Sequence, residues 1–434
     1  MDGAGASAAP GRRPPGCPPR TPARRPGARA LPRDVPPLRR GAAAAGRLRS
    51  GRAPAAFWGG RAVRSGRPGT PEGWPALQCS TVPTTAVSVR LAHSADRARW
   101  DRFVLDAAGG NLLQTWGWGE LKQQGGWRVH RLLAEGPEGA TGALQLLVRR
   151  GPVGAGFAYG PRGPALTGTS EVAPAAALLG AAAAIARRHR SLVLKLDPEW
   201  RIEDPEAPGL LRALRLRPSR YDVQHRKTYL LDLAPGTEAV LAGLKASTRH
   251  HIRHADRSGV RVEIHAGADA EPAVARFQPL FDQAARRGGF VGRDLDYHRA
   301  AVRCLRGSCP VAVLLASVSG EDAAGMIAVA AGPRLCYLFG GSSPAHARLH
   351  PSYLLHWRAI EWGLGCGCRT YDMWGVPNHE DPAAPGAGYF EFKTRWNGEV
   401  VRHHRCQELA LWPWLGPLPR LAERLALRRR PLLT

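Results

Sequence analysis

From about residue 87 onward, apolar positions recur at two spacings; before it they follow neither. Alternation at period two marks VSVRLA, WRVHRLLAE and GALQLLVRR as strands, and SLVLKLDPEW as a strand ending at Asp197 and Glu199. A 3.6-residue period marks SADRARWDRFVLDA as a helix capped by Ser94, and NLLQTWGWGELKQQ as a second that stops at Gly125 and Gly126. An aromatic strand with a Pro/Gly turn, GFAYGPRGPAL, and an Ala-rich helix complete a mixed α/β domain over 86–226.

The same plan restarts at KTYLLDL, followed by a helix at 237–244, a basic helix at 245–258, the strand VRVEI, and helices at 271–286 and 295–305. VAVLLASV, AAGMIAVAA and LCYLFGG form an antiparallel meander, with turns at SGED and GPR. The helix PSYLLHWRAIEWGL leads to the strand CRTYDMWGV and then to YFEFKTRWNG, read as a loop around Lys393. These elements make a second domain over 227–410, with a basic tail at 411–434. Two domains of one plan suggest duplication, although no repeat is visible in the sequence.

Charge divides the chain differently. Of the formal +26, residues 1–85 carry +12, with 15 arginines, no lysine and three acidic residues. Rich in Ala, Gly, Pro and Arg, this tail cannot bury enough surface to offset chain entropy and is expected to be disordered. It is either an arm for nucleic acid or acidic membrane, or an extension without function. No run of about 18 apolar residues predicts a membrane span, and the eight cysteines show no CxxC pair. A soluble, cytoplasmic protein is expected. RLAERLALRRRPLL, near the C-terminus, reads as either a solvated tail or an amphipathic helix making peripheral contact with the inner face of the membrane.

QTWGWGELK, YGPRGP, LKLDPEW, STRHHIRHADRSGV, YLFGGS, PSYLLHWRAIEWGLGCGCRTYDMWGV and FEFKTRWNGEVV occur in this order. Together they resemble the FemABX family of peptidoglycan interpeptide-bridge aminoacyltransferases, over roughly residues 100–410, in its compact, FemX-like form. The resemblance implies an α/β (α+β) fold of two tandem GNAT-like (acyl-CoA N-acyltransferase-like) domains with mixed sheets. It also implies transfer of an amino acid from aminoacyl-tRNA to the stem-peptide side-chain amine of a precursor, lipid II or UDP-MurNAc-pentapeptide. No cofactor or metal is implied.

Lys122, one turn beyond Trp118, is either a solvated helix lysine or, by resemblance, a ligand of the precursor diphosphate, with Trp118 beside the substrate. Arg249 and Arg253, four apart, share one helix face and suit a diphosphate; a plain basic surface is the other reading. The family pattern resembles R-Y-N-I-R, and His251 replaces its Asn here. His250 and His254 stand at metal-ligand spacing, but no HExxH glutamate accompanies them and no metal is expected.

Asp197 either caps its strand or serves the amine nucleophile as proton acceptor or orienter. Lys393, expected between Phe390, Phe392 and Trp396, is either an ordinary loop lysine or the electrophilic candidate for charge developing on the ester; by resemblance it stabilises that oxyanion or contacts the tRNA acceptor end. Tyr337 and Phe339, two apart, are expected on one strand face, also toward substrate; relatives often carry tyrosine at both. Tyr371 and Trp374 are read as core. Two other readings stay open: an acyl-CoA-dependent GNAT enzyme, although no strict Q/R-x-x-G-x-G/A turn occurs, and a non-catalytic RNA-binding module using the helix at 245–258.

Overall fold

The structure, a computed structural model, describes residues 87–107, 110–150, 156–168, 171–377, 387–412 and 414. The tail at 1–85 and the basic helix expected near the C-terminus lie outside these.

In the first half, β1 (Ser88–Leu91), α1 (Arg97–Asp106), α2 (Trp116–Gln124), β2 (Arg128–Gly136), β3 (Gly139–Arg150) and β4 (Gly156–Gly160) follow one another. Next come β5 (Ala165–Leu166), α3 (Val172–Arg188), β6 (Ser191–Leu196), α4 (Ala207–Ala213) and β7 (Arg217–Pro218). The second half opens with β8 (Lys227–Asp232), α5 (Thr237–Gly243), α6 (Ala246–Arg257), β9 (Arg261–Ala266), α7 (Ala270–Gly288) and α8 (Leu295–Leu305). It continues through β10 (Val311–Val318), β11 (Glu321–Ala331), β12 (Arg334–Ser342), α9 (Pro351–Gly365), β13 (Thr370–Val376), α10 (Ala387–Thr394), β14 (Glu399–Arg402) and β15 (Gln407–Ala410).

Two mixed sheets result. One has the order β1-β2-β3-β4-β6-β15-β7, with β5 beside β3; the other is β14-β8-β13-β12-β11-β10-β9. Each contains one parallel pair, β4 with β6 and β12 with β13. Although β15 follows β14 of the second sheet, it pairs with β6 and β7 of the first. The sequence reading had grouped that strand with the second domain.

Helices cover both faces of each sheet because their apolar stripes must be buried. α3 packs Leu178, Leu179, Ala182 and Ala186 against Leu132, Leu144 and Leu146 of the first sheet. On the second sheet, α9 and α6 share one core with Tyr371, Met373 and Trp396. α7 and α8 lie in the opposite core with Val313, Ile327 and Val329.

α2 joins the halves. Its Trp116 lies in the first-half core with Trp100, while Trp118 and Leu121 lie in the second-half core with Phe277 and Leu305. Both glycines of its W-G-W-G are required by close approach: a Cβ at Gly117 would strike the Cys304 carbonyl, and one at Gly119 would strike Gln145 and Arg131.

Three local expectations change. The helix expected from Ser94 begins as a 3-10 turn at that residue, and it is the His93 backbone N–H that the Asp96 carboxylate holds, at 2.8 Å. YFEFKTRWNG is not a loop, since its first part belongs to α10. Trp396 is fully buried beyond that helix, and Phe390 and Phe392 pack on the same core, so tertiary docking overrides aromatic composition.

Tyr337 and Phe339 do not share a face. Ala328 pairs with Tyr337 but Ile327 pairs with Phe339, so Leu338 is the extra residue of a β-bulge. Tyr337 therefore packs on the core of α9 and Phe339 on the core of α7.

Candidate active site

The parallel pair β12/β13 holds together only at Arg334↔Thr370, Leu335↔Tyr371 and Cys336↔Asp372. Beyond that point, the bulge at Leu338 in β12 and a second irregularity between Asp372 and Gly375 in β13 draw the strands apart. Polar side chains collect at this split.

Lys393 reaches it from the last turn of α10, only 5% exposed, and its Nζ donates to the carbonyls of Trp374 at 3.3 Å and Gly375 at 2.8 Å. A protonated amine has three donors, so one remains for a bound group. Burial lowers its pKa to about 7, against the opposing pull of the Asp372 carboxylate. The aromatic ring nearest its charge is Tyr389, with Nζ 5.0 Å from the centroid, one turn back on α10, rather than the expected Phe390, Phe392 or Trp396.

Asp372 fixes the carbonyls that hold the lysine. Its Oδ1 accepts from the Thr228 hydroxyl and, at 2.8 Å, from the Trp374 N–H, while Arg334 stands 3.6 Å from Oδ2. Trp374, read from sequence as core, has φ +68°, an uncommon conformation for a bulky residue and one associated with functional sites. It lines the cleft described below while packing on the α7 core.

Tyr337 lies on the same side as His356, with ring centroids 4.8 Å apart, and burial pushes its phenol up to about 12. His356 Nδ1 and the Tyr371 hydroxyl share a hydrogen bond of 2.7 Å; burial, and next the Lys393 charge, lower the His356 pKa to about 3. The imidazole is neutral at physiological pH. A Cβ on Gly340 would overlap the Tyr337 hydroxyl, so glycine there makes room for the phenol.

One opening adjoins the Trp374 and Gly375 segment whose carbonyls hold Lys393, and another adjoins Phe392. The first is a narrow cleft between the sheets, of about 20 Å³, lined by residues including Arg162, Glu199, Gln224, Asp372, Trp374 and His403. Glu199 meets Arg334 at 2.6 Å, Arg162 at 3.3 Å and His403 at 3.6 Å. Burial works to raise its pKa, but Arg162, His403 and Arg334 outweigh it and hold the carboxyl at about 2. Sequence reasoning missed this network, because contacts spanning 135 residues leave no local spacing to read. The second opening, about 250 Å³, is lined by residues including Arg287, Ser342, His350, Pro351, Tyr353 and Phe392.

Asp197 lies behind the first cleft, 3% exposed, and receives the Tyr159 hydroxyl at 2.6 Å. Gln224 donates to Tyr159 at 3.3 Å and is the member of this chain that lines the cleft. Burial raises the Asp197 pKa against the Tyr159 hydrogen bond.

Lys122 and Phe339 come together on the α7 side of the second sheet. Lys122 Nζ sits 4.5 Å over the Trp118 ring and donates to the Tyr297 hydroxyl at 3.2 Å; Tyr297 in turn meets Phe339, at 6.2 Å between centroids. Trp118 is a buried platform, 6% exposed, whose indole N–H has no partner among the described residues. Arg293 lies 4.9 Å from the Tyr297 ring, so two cations flank one phenol. Arg293 and Tyr297 escaped the sequence reading because neither belongs to a quoted motif.

Arg249 and Arg253 lie elsewhere. They are on α6, whose Ile252 and Ala255 pack on the α9 side of the sheet, so the sheet separates them from Lys122. Lys122, Asp197 and the Arg249/Arg253 pair thus lie at three separate places. Arg249 is also engaged by the carbonyls of Ala242, at 2.7 Å, and Leu244, while Arg253 is exposed. No group of three or more His, Cys, Asp or Glu among the described residues could hold a metal.

Residues 96–209 match the model of the FemAB family, and residues 243–394 match that of the acetyltransferase (GNAT) domain. The lipid II:glycine glycyltransferase of Staphylococcus saprophyticus is 21% identical over 366 residues, spanning 68% of this chain and 87% of the relative. That of Staphylococcus aureus is 22% identical over 372 residues, with the same coverage. The crystal structure of FemX superposes with a TM-score of 0.69 at 20% identity, covering 76% of this chain and 99% of the other, and so shares the fold. Through its FemAB match and its glycyltransferase relatives, the chain is similar to members of the FemABX family.

Proposed function

We propose that this protein is an aminoacyltransferase of peptidoglycan bridge formation, moving an amino acid from aminoacyl-tRNA to the stem-peptide side-chain amine of lipid II or UDP-MurNAc-pentapeptide. The observation that carries the reading is Lys393, desolvated at the β12/β13 split and held by the carbonyls of Trp374 and Gly375, two residues that line the first cleft. The relatives named lipid II:glycine glycyltransferase support the acceptor class.

In the reaction, the neutral amine attacks the ester carbonyl, the C–N bond forms, the ester C–O bond breaks, and the tRNA hydroxyl leaves with a proton. Charged Lys393 donates its remaining N–H to the oxyanion, and burial strengthens that interaction. Lys122 and Arg293, flanking Tyr297, suit the acceptor diphosphate. Glu199 is committed to its cations and Asp197 to Tyr159, so neither is a free base at the cleft. Asp197 acts as a positioning residue through Tyr159 and Gln224.

The start of α9 argues against a CoA donor. A pyrophosphate cradle uses free backbone amides at a helix N-terminus, yet Pro351 has no N–H and the Tyr353 N–H is spent on the His350 carbonyl. Labelled amino acid supplied on charged tRNA should appear on lipid II or UDP-MurNAc-pentapeptide, and acyl-CoA donors should give no product. Absence of product with charged tRNA overturns the proposal.

A further inference from the structure

α6 is built to be buried on one side and cationic on the other. Thr248, Ile252 and Ala255 are buried, while Lys245, His250, Arg253 and Arg257 are exposed. The sole acidic residue of the helix, Asp256, pairs with Arg358 at 3.8 Å. None of the large exposed apolar residues among the described positions lies on α6, so this face lacks the wedge that a membrane-inserting helix uses.

A ladder of rings connects the face to the second opening, which Phe392 of α10 lines. His250 and His254 are 6.1 Å apart between centroids, His254 and His350 5.6 Å; His251 stacks on His350 at 4.0 Å and lies 4.6 Å from Tyr353. His350, Tyr353 and Phe392 line that opening, and Lys393 follows Phe392. The Nδ1 atoms of His251 and His254 are buried without a hydrogen-bond partner among the described residues. Exposed cations leading into planar rings with unpaired ring nitrogens match a nucleic-acid strand whose phosphates lie outside and whose bases stack within.

We infer that the cationic face of α6 and the His251/His350/Tyr353 ring ladder form the docking surface for the acceptor arm of the donor RNA, delivering its 3′ end to Lys393. This deepens the proposed function and rests on it for the identity of the RNA. It also reassigns Arg253 from the acceptor diphosphate to the donor backbone. Arg249, tied to the carbonyls that end α5, sets the angle at which the face is presented.

The test compares the full-length protein with a Lys245→Ala/Arg253→Ala/Arg257→Ala variant, using a fluorescent RNA minihelix ending in CCA. Both carry the same arginine-rich tail, so the difference reads α6. The variant should bind at least tenfold more weakly near 0.1 M salt, and its log–log salt dependence should be shallower by about 2 to 3, roughly one per lost phosphate contact. The charge-keeping variant Lys245→Arg/Arg253→Lys/Arg257→Lys should retain the wild-type slope. Unchanged RNA affinity in the alanine variant overturns the inference, as does loss of binding to phosphatidylglycerol vesicles with RNA binding intact. If the wild type binds RNA through α6 but transfers nothing, the docking surface stands and the proposed transfer falls. If it transfers normally while the alanine variant keeps its KM for charged tRNA, the docking surface falls and the transfer stands.

Discussion

The two halves repeat one plan, and their parallel strand pairs differ at the carboxyl ends. In the first sheet, β4 and β6 remain paired to their ends, at Gly160↔Leu196. In the second, β12 and β13 part after Cys336↔Asp372. The closed pair leads to Tyr159 and Asp197, buried and bonded to each other. The open pair holds Tyr337, His356 and a lysine with a pKa of about 7. The proposed function puts chemistry where the strands diverge, with the first half as support and as one cleft wall.

The sharpest way to break this comparison is Lys393→Ala. If the split is the reacting centre, kcat/KM for transfer should fall about 10³-fold, the cost of losing one preorganised oxyanion donor. Lys393→Arg would sharpen it further. The wild type should lose rate as pH rises through about 7, where the buried ammonium is deprotonated, whereas the arginine variant should lack that descending limb because guanidinium stays charged. A pH–rate profile of each decides the matter.

Next in size is Arg334→Ala, which strikes the ion network joining the halves. Removing one partner of a buried pair usually costs 3–5 kcal/mol; because Arg162 still faces Glu199, about 3 kcal/mol is expected by chemical denaturation. Gly340→Ala should come third, with roughly tenfold lower kcat as the Tyr337 ring is displaced. Asp197→Asn should do least to turnover, less than about fivefold, because the group lies behind Tyr159 rather than at the split. A loss as large as that of Lys393→Ala would move chemistry into the first half.

Periodicity exposed most of the strands and helices, because amphipathic spacing is a local property written into consecutive residues. What stayed hidden depended on partners far along the chain. Phe390, Phe392 and Trp396 look like extended aromatic sequence until the α9 core makes a helix of their neighbourhood. The Leu338 bulge, which sends Tyr337 and Phe339 to opposite faces, adds one residue whose only trace is the pairing with β11. Lys393 and Lys122 were visible as isolated cations among aromatics. Glu199, Arg334 and Asp372 were silent, since each is meaningful only beside the others.

The return of β15 to the first sheet sets how the molecule can come apart. Its residues pair with both β6 and β7 after the chain has already supplied β14 to the other sheet. The last strand among the described residues is thus a clasp: the first sheet cannot complete its edge until the second has been threaded, and neither should melt without releasing the other. Calorimetry should record one cooperative transition for 87–412, and a nascent chain should mature only after its final strand has emerged from the ribosome.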